Sequence, residues 1–279
     1  MKKFLLSSLL IASLSMPLAA QACTLYAAQG DVVEGGGTLI TKIRDFQPQN
    51  QELRVVRKGK YAYFGLFSGT SPDKYIVKAG VNEKGLVAVS AMASCIPEKE
   101  RRKHANKAVL RRVLAECSTV DEALQHPEFY YGPKFVMLGD AKEIACVEIG
   151  AEGKTSVKRT ANDSLAHTNY YLDEKFAELN MRVKESPRVR YQRINELLQN
   201  TAKPYTLDDF IAFSQDQNDG LDNSLWRFGS STTISQTLAA FIVRVEPDSS
   251  FTVWLKYRPE IEDRGHEIVV EKTREDIFG

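Results

Sequence analysis

The sequence predicts an α+β domain in which two β-sheets are covered by helices, and three observations carry that prediction. Strand-type runs occupy both ends of the chain, helical periodicity occupies the middle, and no internal repeat, low-complexity tract or long linker divides them. A chain of 279 residues can bury a full core without being split.

The elements follow in order. Lys2 and Lys3 precede an apolar stretch over residues 4–14, Pro17 breaks it, and Ala20-Gln21-Ala22 places small residues at the third and first positions before Cys23. This pattern is a secretory signal peptide over residues 1–22, with residues 23–279 as one folded domain. The stretch is too short to span a bilayer, and no later run of about 20 apolar residues exists. The expected location is the bacterial periplasm or the medium, with signal peptidase as the maturation partner.

Next, "CTLYAAQ" alternates, "GDVVEGGG" turns and "TLITKIRDF" returns, a hairpin that would bring Lys42 and Asp45 back beside Cys23. "KYAYFGLFSG" reads as a strand, and "KYIVKAG" and "LVAVSAM" read as two more, with Asn82 and Gly85 suited to the tight connection between them. A helix is expected over 104–117, with Ala108, Val109, Val113 and Leu114 on one face, and a short one over 120–126. "KFVMLGD" and "EIACVEIG" are apolar runs bounded by turns, hence strands, and "SLAHTNYY" reads as a strand end. Helices are expected over 173–180, 187–198 and 207–215. "TISQTLAAFIVRV", "SFTVWLKY" and "HEIVVEK" return to strands.

Charge excludes some functions. The formal balance is +1, and removing a leader with two lysines and no acid takes it to −1, so no nucleic-acid partner is expected. The basic run "EKERRKHANKAVLRR" is the solvated side of a helix. No His/Cys cluster has metal-ligand spacing, and "GGG" at 35–37 lacks the lysine and helix of a phosphate loop, so no metal or nucleotide cofactor is expected.

The chemistry centres on Cys23. Exposed by signal removal, it would carry a thiol and a free α-amine on one residue, and an amine with a reference pKa near ~8 can take the thiol's proton. Such a nucleophile needs no separate histidine. A carboxylate at Asp45 could hold the ammonium or orient the thiol, and a cation at Lys42 would lower the thiol pKa. Other readings of the cysteines stay open. Cys23 could be the lipidated residue of an envelope lipoprotein, although Ala20 and Gln21 match a lipobox poorly. With Cys23 free, at most one disulfide could form among Cys95, Cys117 and Cys146. Cys95 with His167 is the alternative nucleophile pair.

Together these motifs resemble the choloylglycine hydrolase and penicillin V acylase family of N-terminal nucleophile (Ntn) hydrolases, and more loosely the acid ceramidase and isopenicillin acyltransferase relatives. The resemblance runs through Cys23-Thr24, Asp45-Phe46, "GVNEKGL", "HTNYY" and "NSLWRF", in order along most of residues 23–279. It implies a four-layer αββα sandwich of two mainly antiparallel sheets, no cofactor, a small-molecule N-acyl amide substrate and a possible homo-oligomer. It implies that Cys23 attacks an amide carbonyl, that Asp45 positions its amine and thiol, and that Asn169 donates its side-chain amide to the oxyanion. Arg227 would stabilise charge near the nucleophile, and a backbone N–H near Met92 would be the second oxyanion donor. Each such donor is worth roughly ~3 kcal/mol of barrier. Lys42 stands where the family usually has arginine and lacks its bidentate fork, so Arg44 is a candidate to share the role. Met92 replaces the family's asparagine or tyrosine, so substrate identity does not carry over. The reading is an exported amidase working through a thioester acyl-enzyme, with an acyltransferase or a non-catalytic lipoprotein as alternatives.

Overall fold

A computed structural model describes residues 22–104, 108–231, 234–261 and 264–279. The leader expected over residues 1–22 lies outside the described residues apart from Ala22.

Thirteen strands are described, in chain order β1 (Ala22–Gln29), β2 (Thr38–Phe46), β3 (Gln51–Val56), β4 (Tyr63–Ser68), β5 (Ile76–Asn82), β6 (Val87–Met92), β7 (Lys134–Gly139), β8 (Ile144–Ile149), β9 (Thr155–Thr160), β10 (Asp163–His167), β11 (Gln236–Val245), β12 (Phe251–Tyr257) and β13 (Ile268–Thr273). The helices are α1 (Glu98–Arg102), α2 (Val109–Glu116), α3 (Val120–Leu124), α4 (Glu185–Asn200), α5 (Leu207–Ser214), α6 (Gly220–Asn223) and α7 (Arg274–Phe278). One sheet has the order β10-β1-β2-β11-β12-β13 and the other β3-β4-β5-β6-β7-β8-β9, and every strand pairing in both is antiparallel.

Alternation along β1 decides the layers. Cys23, Leu25 and Ala27 point into a core shared with Val87, Val89 and Ala91 of β6, so this face packs sheet on sheet. Tyr26 and Ala28 point the other way, against Ile194 and Leu198 of α4 and Phe210 of α5. The second sheet's outer face places Ala88, Val136 and Leu138 against Leu110, Val113 and Leu114 of α2. Three apolar cores between four layers make the αββα sandwich. Each fully buried Leu, Ile or Val side chain contributes about 1.5–3 kcal/mol, so a helix stripe such as that of α2 holds its layer by burial rather than by propensity.

Most elements agree with the periodicities, and the departures have physical causes. The helix expected over 104–117 begins only at Val109, and the part over 105–107 lies outside the described residues. The helix expected over 173–180 is instead a tight 3₁₀ segment, Glu174–Leu179, capped by the Asp173 side chain and irregular at Phe176. Strands β3 and β9 carry mixed polar residues because they are sheet edges, where neither face is wholly buried. All four cysteines are free thiols, so no bridge forms among Cys95, Cys117 and Cys146. Cys117 packs under α2, whereas Cys95 and Cys146 lie in the sheet-on-sheet core.

The "GVNEKGL" segment is a structural hinge. Asn82 Oδ1 accepts from the N–H groups of Lys84 and Leu86, both at 3.1 Å, closing the turn between β5 and β6. Its Nδ2 donates to the carbonyls of Leu114 at 3.0 Å and Cys117 at 2.7 Å, binding the end of α2 to the second sheet. Gly85 has φ +81°, which a side chain rarely adopts, and a Cβ there would stand 3.0 Å from the Ser249 carbonyl. This turn also sets the register of β6, whose far end, Met92, reaches the candidate site.

Candidate active site

The hairpin of β1 and β2 pairs Cys23 with Arg44 and Ala22 with Asp45. Opposed residues share a face, so Cys23, Lys42 and Arg44 project between the sheets while Asp45 projects toward α4. Asp45 therefore approaches Cys23 from the strand end, and the immediate cross-strand neighbour of the thiol is Arg44.

Asp45 is buried within a cluster of arginines. It forms an ion pair with Arg227 Nη2 at 3.1 Å, stands 4.0 Å from Arg190 Nη1 and accepts from Thr237 Oγ1 at 2.7 Å. Thr237 is opposite Asp45 on β11, immediately before a bulge in the β11–β2 register that changes the course of the strand. The Thr237 hydroxyl also accepts from the Arg227 N–H at 2.8 Å, tying the segment after α6 to the sheet.

Asn169 follows β10. Its Oδ1 accepts from the Cys23 backbone nitrogen at 2.7 Å and from Arg190 Nη2 at 3.1 Å, while its Nδ2 donates to the Met92 carbonyl at 2.9 Å. Two donors facing one atom identify it as the oxygen, so the orientation of the amide is determined by its partners. One of the two Nδ2 hydrogens is thus committed to Met92, leaving one for a developing oxyanion. At Met92 the group in contact with Asn169 is the carbonyl; it also accepts from the Ser94 N–H at 2.9 Å.

Arg190 is the component that sequence reasoning missed. It is fully buried and donates to the Cys23 carbonyl at 2.8 Å, to Thr24 Oγ1 at 2.7 Å and to Asn169 Oδ1. Its signal was present in the pattern: Pro187, Arg190, Ile194 and Leu198 form the buried stripe of α4, and an arginine on an apolar stripe needs a partner below it.

Lys42 is buried, and its Nζ donates to the Lys78 carbonyl at 3.0 Å and to the Ser90 carbonyl. Burial lowers its pKa, with the Cys23 thiol acting against that and Arg44 with it. Arg44 donates to Gln49 Oε1 at 2.5 Å and Ser68 Oγ at 3.3 Å, and burial lowers its pKa to about 10, opposed by Cys23 and Asp45. Arg190 is also lowered to about 10, by burial and then by Arg227. Both guanidiniums stay charged at neutral pH.

The Cys23 side is almost closed. Cys23 is 9 % exposed and Ala22, next to Asp45, 2 %. The sulfur lies 4.0 Å from the Asp45 carbonyl. Met92, whose carbonyl accepts from Asn169, is half-buried. A cavity of about 360 Å³ lies elsewhere, lined by Cys146, Glu148, His167, Leu172, Tyr191 and Asn195 among others. His167 is held there by Glu148 Oε1 at 2.9 Å and the Thr168 carbonyl at 3.1 Å, so it is not paired with Cys95. Burial pushes the Cys95 thiol up to about 11, further from nucleophilic use.

A family model described as acyl-coenzyme A:6-aminopenicillanic acid acyl-transferase matches residues 32–255. The chain belongs to this family. Its fold is that of the Ntn hydrolases. It is similar to the Caenorhabditis elegans N-acylethanolamine-hydrolyzing acid amidase ortholog, at 13% identity and TM-score 0.54, over 81% of this chain and 93% of that one. It is also similar to a mutant of the conjugated bile acid hydrolase of Clostridium perfringens, at 14% identity and TM-score 0.53, over 90% of this chain and 96% of that one. No curated protein sequence matches. The family match begins nine positions after Cys23, so the nucleophile rests on the geometry above. Among the described residues no group of His, Cys, Asp or Glu is placed to hold a metal, and no helix is long and apolar enough to cross a membrane.

Proposed function

We propose that the protein is an exported amidase whose nucleophile, Cys23, is created by removal of residues 1–22. The observation that carries this reading is the environment of the Cys23 nitrogen, the atom that becomes an amine on cleavage. It is already aimed at Asn169 Oδ1 at 2.7 Å, beside a thiol bordered by Arg44 and Lys42. Cleavage also removes Ala22 from its buried place opposite Asp45, opening space at the strand end.

In this mechanism the amine takes the thiol proton, and the sulfur attacks the carbonyl of an N-acyl small molecule. The free N–H of Asn169 supports the oxyanion together with a backbone donor near Met92. The C–N bond breaks as the ammonium returns its proton to the leaving amine, giving a thioester and the free amine. Water then attacks the thioester, releasing the acid and restoring the thiol. Arg190 and Asp45 hold Cys23, Asn169 and Arg227 in register and take no proton. The family's acyltransferase description favours a second reading in which an amine replaces water in the last step.

Intact mass and amide turnover of the full chain, isolated after export, test the proposal. A mass corresponding to residues 23–279, with turnover lost in Cys23→Ala, supports it. A lipid adduct on Cys23, or undiminished turnover in Cys23→Ala, overturns it.

A further inference from the structure

We propose that the substrate of this site carries a carboxylate next to the scissile amide, bound by Arg44; this deepens the amidase reading and rests on it. Arg44 is 3 % exposed and directly opposite Cys23. Its partners are neutral: Gln49 Oε1 and Ser68 Oγ hold Nη2, and the Phe46 ring lies 5.3 Å from the guanidinium carbon. Nη1 is buried without a hydrogen-bond partner among the described residues. A buried guanidinium N–H left unpaired is costly, and the group that satisfies it best is an anionic oxygen.

The charge count around the nucleophile points the same way. Arg44, Arg190 and Arg227 are all buried, and among the described residues Asp45 is the carboxylate paired with the last two. Asp45 lies on the other face of β2 and acts on Arg44 only at longer range, so among the described residues Arg44 makes no direct ion pair with a carboxylate. Opposed side chains in a sheet start about 5 Å apart, and Cys23 interacts electrostatically with the Arg44 guanidinium, so the two groups are neighbours at the site. The ligand chemistry is therefore an N-acyl amide with a carboxylate close to the reacting carbon, on the amine side as in an N-acyl amino acid or on the acyl side as in a dicarboxylic monoamide.

Binding by calorimetry to the full chain carrying Cys23→Ala, after export, reads this without turnover. The probes are phenoxyacetylglycine against phenoxyacetylglycinamide, decanoylglycine against decanoylglycinamide, and a glutaryl against a pentanoyl amide of one amine. At least one carboxylate should bind tenfold or more tightly than its neutral partner, and the pair that does so identifies the side carrying the charge. Adding Arg44→Met should bring that pair within twofold, with Arg44→Lys between. Equal binding within every pair, failure of all the carboxylates to bind at millimolar concentration, or a preference that survives Arg44→Met overturns the proposal. The probe comparison requires no Arg44 variant, so misfolding of Arg44→Met does not obscure it. Failure of the amidase reading shows separately, as turnover that persists in Cys23→Ala.

Discussion

Replacing Arg190 by methionine removes four hydrogen bonds at once, to the Cys23 carbonyl, Thr24 Oγ1, Asn169 Oδ1 and Ser186 Oγ, at 2.8, 2.7, 3.1 and 3.3 Å. Bonds to a charged donor are worth about 1.5–3 kcal/mol each, so the gross loss is several kcal/mol. Two effects offset part of it: methionine is not penalised for a buried charge, and repulsion with Arg227 disappears. The expected net destabilisation is about 3–5 kcal/mol, the range for breaking a buried charged network. At about 2–4 °C per kcal/mol for a chain of this size, the melting temperature should fall by about 6–20 °C. Asn169 keeps its contacts to Cys23 and Met92 but loses the group that holds its oxygen, and a misplacement near 1 Å costs about 10²-fold in rate. Scanning calorimetry and turnover of the best amide substrate check both parts. A melting temperature within 3 °C of the parent would show that Arg190 is not a structural tie, and an unchanged rate would show that Asn169 does not depend on it.

Thr237→Val keeps the shape but removes the hydroxyl that donates to Asp45 and accepts from the Arg227 N–H, and should cost about 1–3 kcal/mol in urea unfolding. Asn82→Ala removes four hydrogen bonds remote from Cys23 and should destabilise by about 2–4 kcal/mol without altering substrate KM; a changed KM would place the turn in the site. Burial pushes the Cys95 and Cys117 thiols up to about 11, so at pH 7 only about one in 10⁴ is ionised and iodoacetamide should label Cys23 first, with mass-mapped labelling of the other two rising tenfold per pH unit toward 11. The sign for stability is the reverse: these raised acids contribute fully below their ordinary value of 9.0, and that contribution is lost as pH rises through about 11. Gly37→Ala should be strongly destabilising in a thermal melt, because its φ is +73° and a Cβ would meet the Val245 carbonyl at 2.2 Å.

The sequence by itself determined two sheets covered by helices, and the four-layer order came from the resemblance to the Ntn hydrolases. Period-two alternation from Cys23 to Gln29 and the apolar stripe of α4 assign faces locally, because a side chain's direction follows from its place in a strand or helix. The same local logic identified Asn82 and Gly85 as a turn, and brought Asp45 back toward Cys23 through a hairpin that chain length alone closes. Polar edge strands such as β3 escaped it, since their half-exposed residues carry no hydrophobic period. Only the tertiary structure decided which charges meet. That Asp45 serves Arg227 and Thr237, that Arg190 reaches across from α4 to Cys23 and Asn169, and that Arg44 rather than Lys42 stands opposite the thiol depend on strand register and helix docking. Buried charges interact through space with partners up to 192 positions away, and no local periodicity records those distances.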